Sequence, residues 1–140
     1  MNPALPDTLV VVDTDAFSKA FVLTSGPERR ELRDRLVGRM PVIATQTYAE
    51  LRVWPEMANW GKPRRAALAE ILASTQIVPV LPEVVDAFVE LTVECRATGH
   101  ALAAKVHTAD RWVAATAVAL DRPLLSLDGV YVGTPNLALI

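Results

Sequence analysis

The chain has 140 residues, of which 51% are hydrophobic and 21% charged, and its formal net charge is −2. That is one domain's worth of sequence, 1–140, with enough apolar material for a core, and it excludes a disordered chain. The charge balance does not announce a nucleic-acid binder, although a local basic face can sit beside an acidic site.

The opening "MNPALPDTLV" has no basic region followed by an apolar core, so no secretion signal is expected. No apolar run anywhere approaches the ~18 residues of a membrane span. "TLVVVD" is a β-branched run with a hard stop and reads as a buried strand. "AFSKAFVLTSG" sets Phe17, Ala20 and Phe21 at helical spacing and ends near Gly26. In "PERRELRDRL", Pro27 suits a helix start, and Leu32 and Leu36 are four apart. Pro41 opens a short second strand, "VIAT", and "QTYAELRVW" follows as a helix. "PEMANWGKP" reads as a helix–helix corner, and "RRAALAEILAS" as a helix by propensity.

"QIVPV" is a third strand. "PEVVDAFVELTVECRATG" is a long helix from Pro82 to Gly99, with Cys95 as a small buried core residue. As the chain's one cysteine, Cys95 excludes an internal disulfide and fits a reducing cytoplasm. "TADRWVAATAVAL" is another helix, which Thr108 can cap and which holds Asp110 in its first turn. "PLLSLD" is a fourth strand and "LALI" a candidate fifth. Short strands, apolar on both faces and alternating with helices, predict an α/β fold with a mostly parallel central sheet of four to five strands and helices on both sides.

Ligands gather at the carboxyl ends of the strands in such sheets. Asp13 ends the first strand, Glu50 follows the second, Asp110 opens the helix before the fourth, and Asp128 ends the fourth; Asp15 is a fifth candidate. Crowded carboxylates repel, and a hard divalent cation such as Mg²⁺ or Mn²⁺ relieves them. A cation so held activates water and stabilises charge on a phosphoryl oxygen, which suggests phosphodiester hydrolysis. Taken singly, each acid has a plainer role: Asp15 and Asp110 as first-turn acids, Glu50 as a solvated helix residue, Asp128 as a turn residue before Gly129. Only their joint position carries the functional reading.

At these residues the chain resembles the PIN-domain ribonucleases, especially the VapC-type toxins of bacterial toxin–antitoxin pairs. "VVVDTD" matches the family's opening strand and acid, "TYAEL" its Glu after the second strand, "TADRWVAATAVAL" its Asp before an Ala-rich helix, and "RPLLSLDGVYVGTPNLALI" its closing segment. The resemblance runs over essentially the whole chain. It implies a PIN-like three-layer fold, a cytoplasmic Mg²⁺- or Mn²⁺-dependent endoribonuclease acting as a toxin, a cognate antitoxin and a homodimer. It implies a metal site of Asp13, Glu50, Asp110 and Asp128, with Asp13 and Asp110 as the main ligands. Two departures stand out. Asp15 occupies a place where the family usually has Ser or Asn, and Tyr131 lies where the family often has a Phe, which reads as a packing change.

RNA also needs cations to meet its phosphates. "PERRELRDRL" interleaves acids with its arginines and reads as a solvated face. Lys105 and Arg111, flanking Asp110, are better candidates for substrate contact, and Thr108 is either a helix cap or a hydrogen-bond donor to a carboxylate or phosphate. His107 can be drawn as a general base but is not needed if a metal activates water. Trp54, Met57 and Trp60, at helical spacing beside the corner, are either core or part of the groove that receives the antitoxin. Two rivals remain: a PIN-like protein that binds or processes RNA without being a toxin, and a haloacid-dehalogenase-type phosphatase opening on the Asp-x-Asp of "VVVDTD".

Overall fold

Strands β1 (Leu9–Val12), β2 (Met40–Ala44), β3 (Gln76–Val78) and β4 (Leu124–Leu125) form one sheet in the computed structural model, which describes residues 5–140. The first four residues of the segment read for a secretion signal lie outside the described residues. The strand order is β3-β2-β1-β4, and every pairing is parallel. The candidate fifth strand is reduced to a single parallel bridge, Leu124 to Leu139.

The sheet is covered on both faces, which is why its strands are apolar throughout. Period-2 alternation sends Leu9 and Val11 to one side, where they pack with Val42, Ala44 and the buried residues of α5 (Pro82–Thr98) and α6 (Thr108–Leu120). Val10 and Val12 point the other way, onto Phe17, Leu32, Ile43 and Leu51. That second layer is built from α1 (Thr14–Phe17), α2 (Glu28–Arg35) and α3 (Thr45–Met57). Each fully buried Val or Leu contributes about 1.5–3 kcal/mol.

Several boundaries differ from the sequence reading, for local reasons. The helix after β1 ends at Val22 rather than near Gly26, because its last turn, Ser18–Val22, is a π-turn closed by the Leu23 N–H donating to the Ser18 carbonyl at 2.8 Å. Helix α3 runs through Pro55 to Met57, so the corner begins after Met57; α4 (Lys62–Ala73) follows. The Pro55 carbonyl accepts from the Trp60 N–H at 3.0 Å and from Arg65 Nη2 at 3.1 Å, which ties the corner to the helix end. Helix α5 stops as predicted at Gly99, whose φ of +72° is the left-handed cap that glycine favours. Residue His107, not Thr108, holds the N-cap position of α6; the Thr108 hydroxyl instead donates to the Lys105 carbonyl at 2.6 Å. No described helix is long and apolar enough to cross a membrane.

Candidate functional site

Strand β1 lies inside the sheet, between β2 and β4. The chain leaves it toward β2 and β3 and comes back to β4 on the opposite side. The carboxyl ends of β1 and β4 therefore flank a point where strand order reverses, the usual place for a ligand crevice. A cavity of about 520 Å³ opens there, lined by Asp13, Asp15, Glu50, Asp110 and Asp128 together with Lys19 and Tyr131. Five acids from four separate stretches of sequence thus share one wall.

Residue Asp13 leaves β1 and caps α1, its Oδ1 accepting from the Ala16 N–H at 2.8 Å. Its Oδ2 accepts from the Ser126 hydroxyl, just beyond β4. The residue is 5% exposed. Burial pushes its carboxyl up to about 6; those two hydrogen bonds oppose the rise, and the charges of Asp15 and Asp110 add to it. Residue Glu50 is exposed on α3, with Thr14 Oγ1 3.2 Å from its Oε1 and 3.1 Å from Thr47 Oγ1. Its carboxyl is also raised, first by desolvation in the cavity wall, against the Thr14 hydrogen bond, and further by the charge of Asp110.

In the first turn of α6, Asp110 has Oδ2 2.9 Å from His107 Nδ1 and Oδ1 3.4 Å from the Tyr131 hydroxyl. Residue Asp128 stands three residues past the end of β4, because that strand has only two residues. It caps the 3₁₀ turn Gly129–Tyr131, its Oδ1 accepting from the Val130 N–H at 2.9 Å. At the rim, exposed Asp15 pairs with Lys19 at 3.2 Å, and Lys19 also lies 3.8 Å from Glu28.

The donor set is all oxygen, which suits a hard divalent cation. The upward shifts of Asp13 and Glu50, each fed in part by the charge of Asp110, are strain that such a cation would relieve. The side chains are not closed around a point: among the described residues, no three His, Cys, Asp or Glu side chains converge into a group that could hold an ion as they stand. Each of Asp13, Glu50, Asp110 and Asp128 instead has a carboxylate oxygen engaged with an internal partner. The chemistry fits, and closure needs side-chain rotation.

The other expected residues fare unevenly. Exposed Lys105 is free to meet a ligand, whereas the Thr108 hydroxyl is taken up locally. The expectation of substrate contact by Arg111 is corrected: it is 6% exposed, donates from Nη1 to the Leu102 carbonyl at 2.7 Å, and sits over the Phe88 ring at 4.9 Å. Burial makes it a tie between the 3₁₀ segment Ala101–Ala103 and the α5–α6 layer. Trp54 and Trp60 pack against each other, ring centroids 4.9 Å apart, and Met57 stands away from them. Trp54 lines the acidic cavity, Met57 is 82% exposed, and Trp60 is buried under the Arg64 guanidinium, 3.7 Å from its ring centroid. Several arginines are likewise used within the fold, Arg33 on the Ala20 carbonyl and Arg35 on Glu31.

Sequence reasoning passed over Thr14 and Lys19 as parts of this cavity and Ser126 as the donor behind Asp13, and took Tyr131 for packing alone. The adjacency of Thr14 to Asp13, and of Ser126 to the end of "PLLS", was the available signal.

The PIN domain family model matches residues 10–132. No curated protein sequence matches the chain significantly. Among solved structures, the chain is similar to VapBC2 from Rickettsia felis bound to a DNA fragment from its promoter, at 17% identity and a TM-score of 0.78, covering 94% of this chain and 97% of that one. It is similar to FitAcB from Neisseria gonorrhoeae at 18% identity and a TM-score of 0.73, covering 94% and 96%. A member of the VapBC family of toxin–antitoxin systems from Mycobacterium tuberculosis, VapBC-5, matches at 22% identity and a TM-score of 0.67, covering 95% and 98%.

Proposed function

The chain belongs to the PIN domain family, and from that premise we propose that it is a Mg²⁺- or Mn²⁺-dependent endoribonuclease acting as the toxin of a toxin–antitoxin pair. The observation that carries the proposal is the single cavity at the β1–β4 reversal whose wall holds Asp13, Glu50, Asp110 and Asp128. Family membership also sets aside the phosphatase reading of "VVVDTD".

Asp13 and Asp110 would be the main ligands of a divalent cation, with Glu50 and Asp128 binding directly or through water. Such a cation supplies Lewis acidity, lowering the pKa of water and offsetting charge on a phosphoryl oxygen. The protein's own residues prepare the site. Ser126 and the Ala16 N–H hold Asp13 in place, and Thr14 holds Glu50. Burial keeps bulk water from screening the Asp13 charge. On the cavity wall, Lys19 is the cation placed to meet a phosphate, at the expense of its exposed pairing with Asp15.

One structural neighbour named above, VapBC-5, is a member of a family of toxin–antitoxin systems. For this chain the corresponding partner is an antitoxin whose apolar residues meet exposed Val53 and Met57 of α3, near Trp54 at the cavity. The test is growth arrest on expression of the parent, Asp13→Asn and Asp110→Asn, with RNA cleavage by each purified protein in Mn²⁺ and in EDTA. Arrest and Mn²⁺-dependent cleavage by the parent alone are expected. Two variants as toxic as the parent overturn the nuclease. One observation favours a second reading, an RNA-binding protein that does not cut: no three of the acids close into one group. Parent protein that binds RNA but leaves it intact in Mn²⁺ would establish that reading.

A further inference from the structure

An acid in the first turn of a helix ordinarily folds back onto the free N–H groups there. At helix starts in this cavity Asp13 does so on Ala16 and Asp128 on Val130. Asp110 does not. Its two oxygens meet side chains instead, the N-cap residue His107 at Oδ2 and, from beyond β4, Tyr131 at Oδ1. We propose that His107 and Tyr131 form a two-donor clamp that fixes the Asp110 carboxylate for its work in the cavity. The inference rests on the nuclease reading of that cavity and adds two positioning residues to it.

The contacts are unequal. The 2.9 Å approach of His107 Nδ1 is a full hydrogen bond, and toward a carboxylate the ring nitrogen must carry the proton. The backbone behind it is fixed, since the His107 N–H donates to the Ala104 carbonyl at 2.9 Å. The Tyr131 contact, at 3.4 Å, is the looser one. Tyr131 is 1% exposed, so its ring cannot swing away without opening the core. Facing a carboxylate oxygen, the Tyr131 hydroxyl is the donor of the pair.

Each carboxylate oxygen has two lone pairs, and the clamp uses one on each. One per oxygen is left for a cation or a water. The carboxylate plane is then set jointly by the N-cap of α6 and by the 3₁₀ turn after β4. Partners of this kind, behind a metal ligand, are commonly worth 10–100-fold in affinity.

Three substitutions separate the roles. His107→Asn returns an N–H close to the Nδ1 position, His107→Gln returns one near Nε2 instead, and His107→Leu returns none. Long-range ¹H–¹⁵N spectra of the metal-free protein in mildly alkaline buffer should show the Nδ1–H tautomer at His107, lost in Asp110→Asn. Mn²⁺ affinity by calorimetry should fall about 10–100-fold in His107→Leu and His107→Gln. It should stay near the parent value in His107→Asn and fall less in Tyr131→Phe. An Nε2–H tautomer overturns the clamp, as does Mn²⁺ binding by His107→Leu as tight as by the parent. A parent that binds no Mn²⁺ overturns the nuclease reading and the clamp's purpose together, an outcome distinct from the previous two.

Discussion

Burial lifts the Asp13 carboxyl to about 6 from an ordinary 3.8. Between those values the folded protein keeps a proton that the unfolded chain has released, so stability falls as pH rises through that window. Above it, the ionised group costs on the order of 3 kcal/mol. In EDTA, Asp13→Asn should therefore raise the unfolding free energy by on the order of 1–3 kcal/mol at pH 8, with the gain vanishing near pH 4. Urea titrations at the two pH values check this, and a variant equally destabilised at both would refute it. Arg111 makes the opposite case, a charge kept for structure. Arg111→Met keeps the volume but leaves the Leu102 carbonyl without its donor and removes the cation over Phe88. A loss of about 2–4 kcal/mol is expected, with KM for RNA unchanged when cleavage is assayed well below the melting temperature.

At the scale of elements, helix ends do much to aim the site. Asp13 and Asp128 are placed by capping turns, and Asp110 by the start of α6, a helix whose Ala114, Ala115 and Ala117 are all fully buried. Those small side chains let α6 approach α5 and β1 closely. The entry into α6 depends in turn on where α5 ends. Gly99 has φ +72°, and a Cβ there would meet nothing within 4 Å. Gly99→Ala should therefore cost only the left-handed backbone penalty, about 1–2 kcal/mol. Thermal unfolding measures that loss; cleavage at low temperature should be unaffected, since the cap's position is kept. Strand β4 is two residues long, yet it supplies the Leu125 carbonyl that accepts the Asp13 N–H at 3.1 Å. A minimal strand is sufficient where its job is to locate one loop.

For the whole molecule, the distribution of charge matters more than its net value of −2. The acids are gathered in one cavity, while Arg33, Arg35, Arg64, Arg65 and Arg111 are engaged within the fold. Lys19 at the cavity and exposed Lys105 near α6 are the cations best placed for phosphates. An RNA held through one or two phosphate contacts releases few counterions. The apparent affinity for single-stranded RNA should thus weaken by less than about tenfold between 50 and 200 mM salt. Fluorescence anisotropy with Asp13→Asn, which should bind without cutting, measures the slope. A steep slope would reveal a basic face on another element.

Local pattern was sufficient for most of the fold. Apolar runs with hard stops marked β1 to β3, 3.6-residue spacing marked the helices, and Gly99 ended α5 where the sequence said it would, because each depends on residues close in the chain. The acids were legible as a set for the same reason: each follows a recognisable strand or opens a helix. The three-dimensional structure decided the rest. Strand order put β4 beside β1 and so brought Ser126 to Asp13, across more than a hundred residues. Burial withdrew Arg111 and Trp60 from the surface, although Asn59 and Gly61 beside Trp60 remain exposed. The hydroxyl of Tyr131 became a partner of Asp110 only once the turn after β4 packed against the start of α6, whereas His107, three residues before Asp110, was within local reach. A side chain's partners are set by what the fold lays against it, and sequence spacing alone does not carry that information.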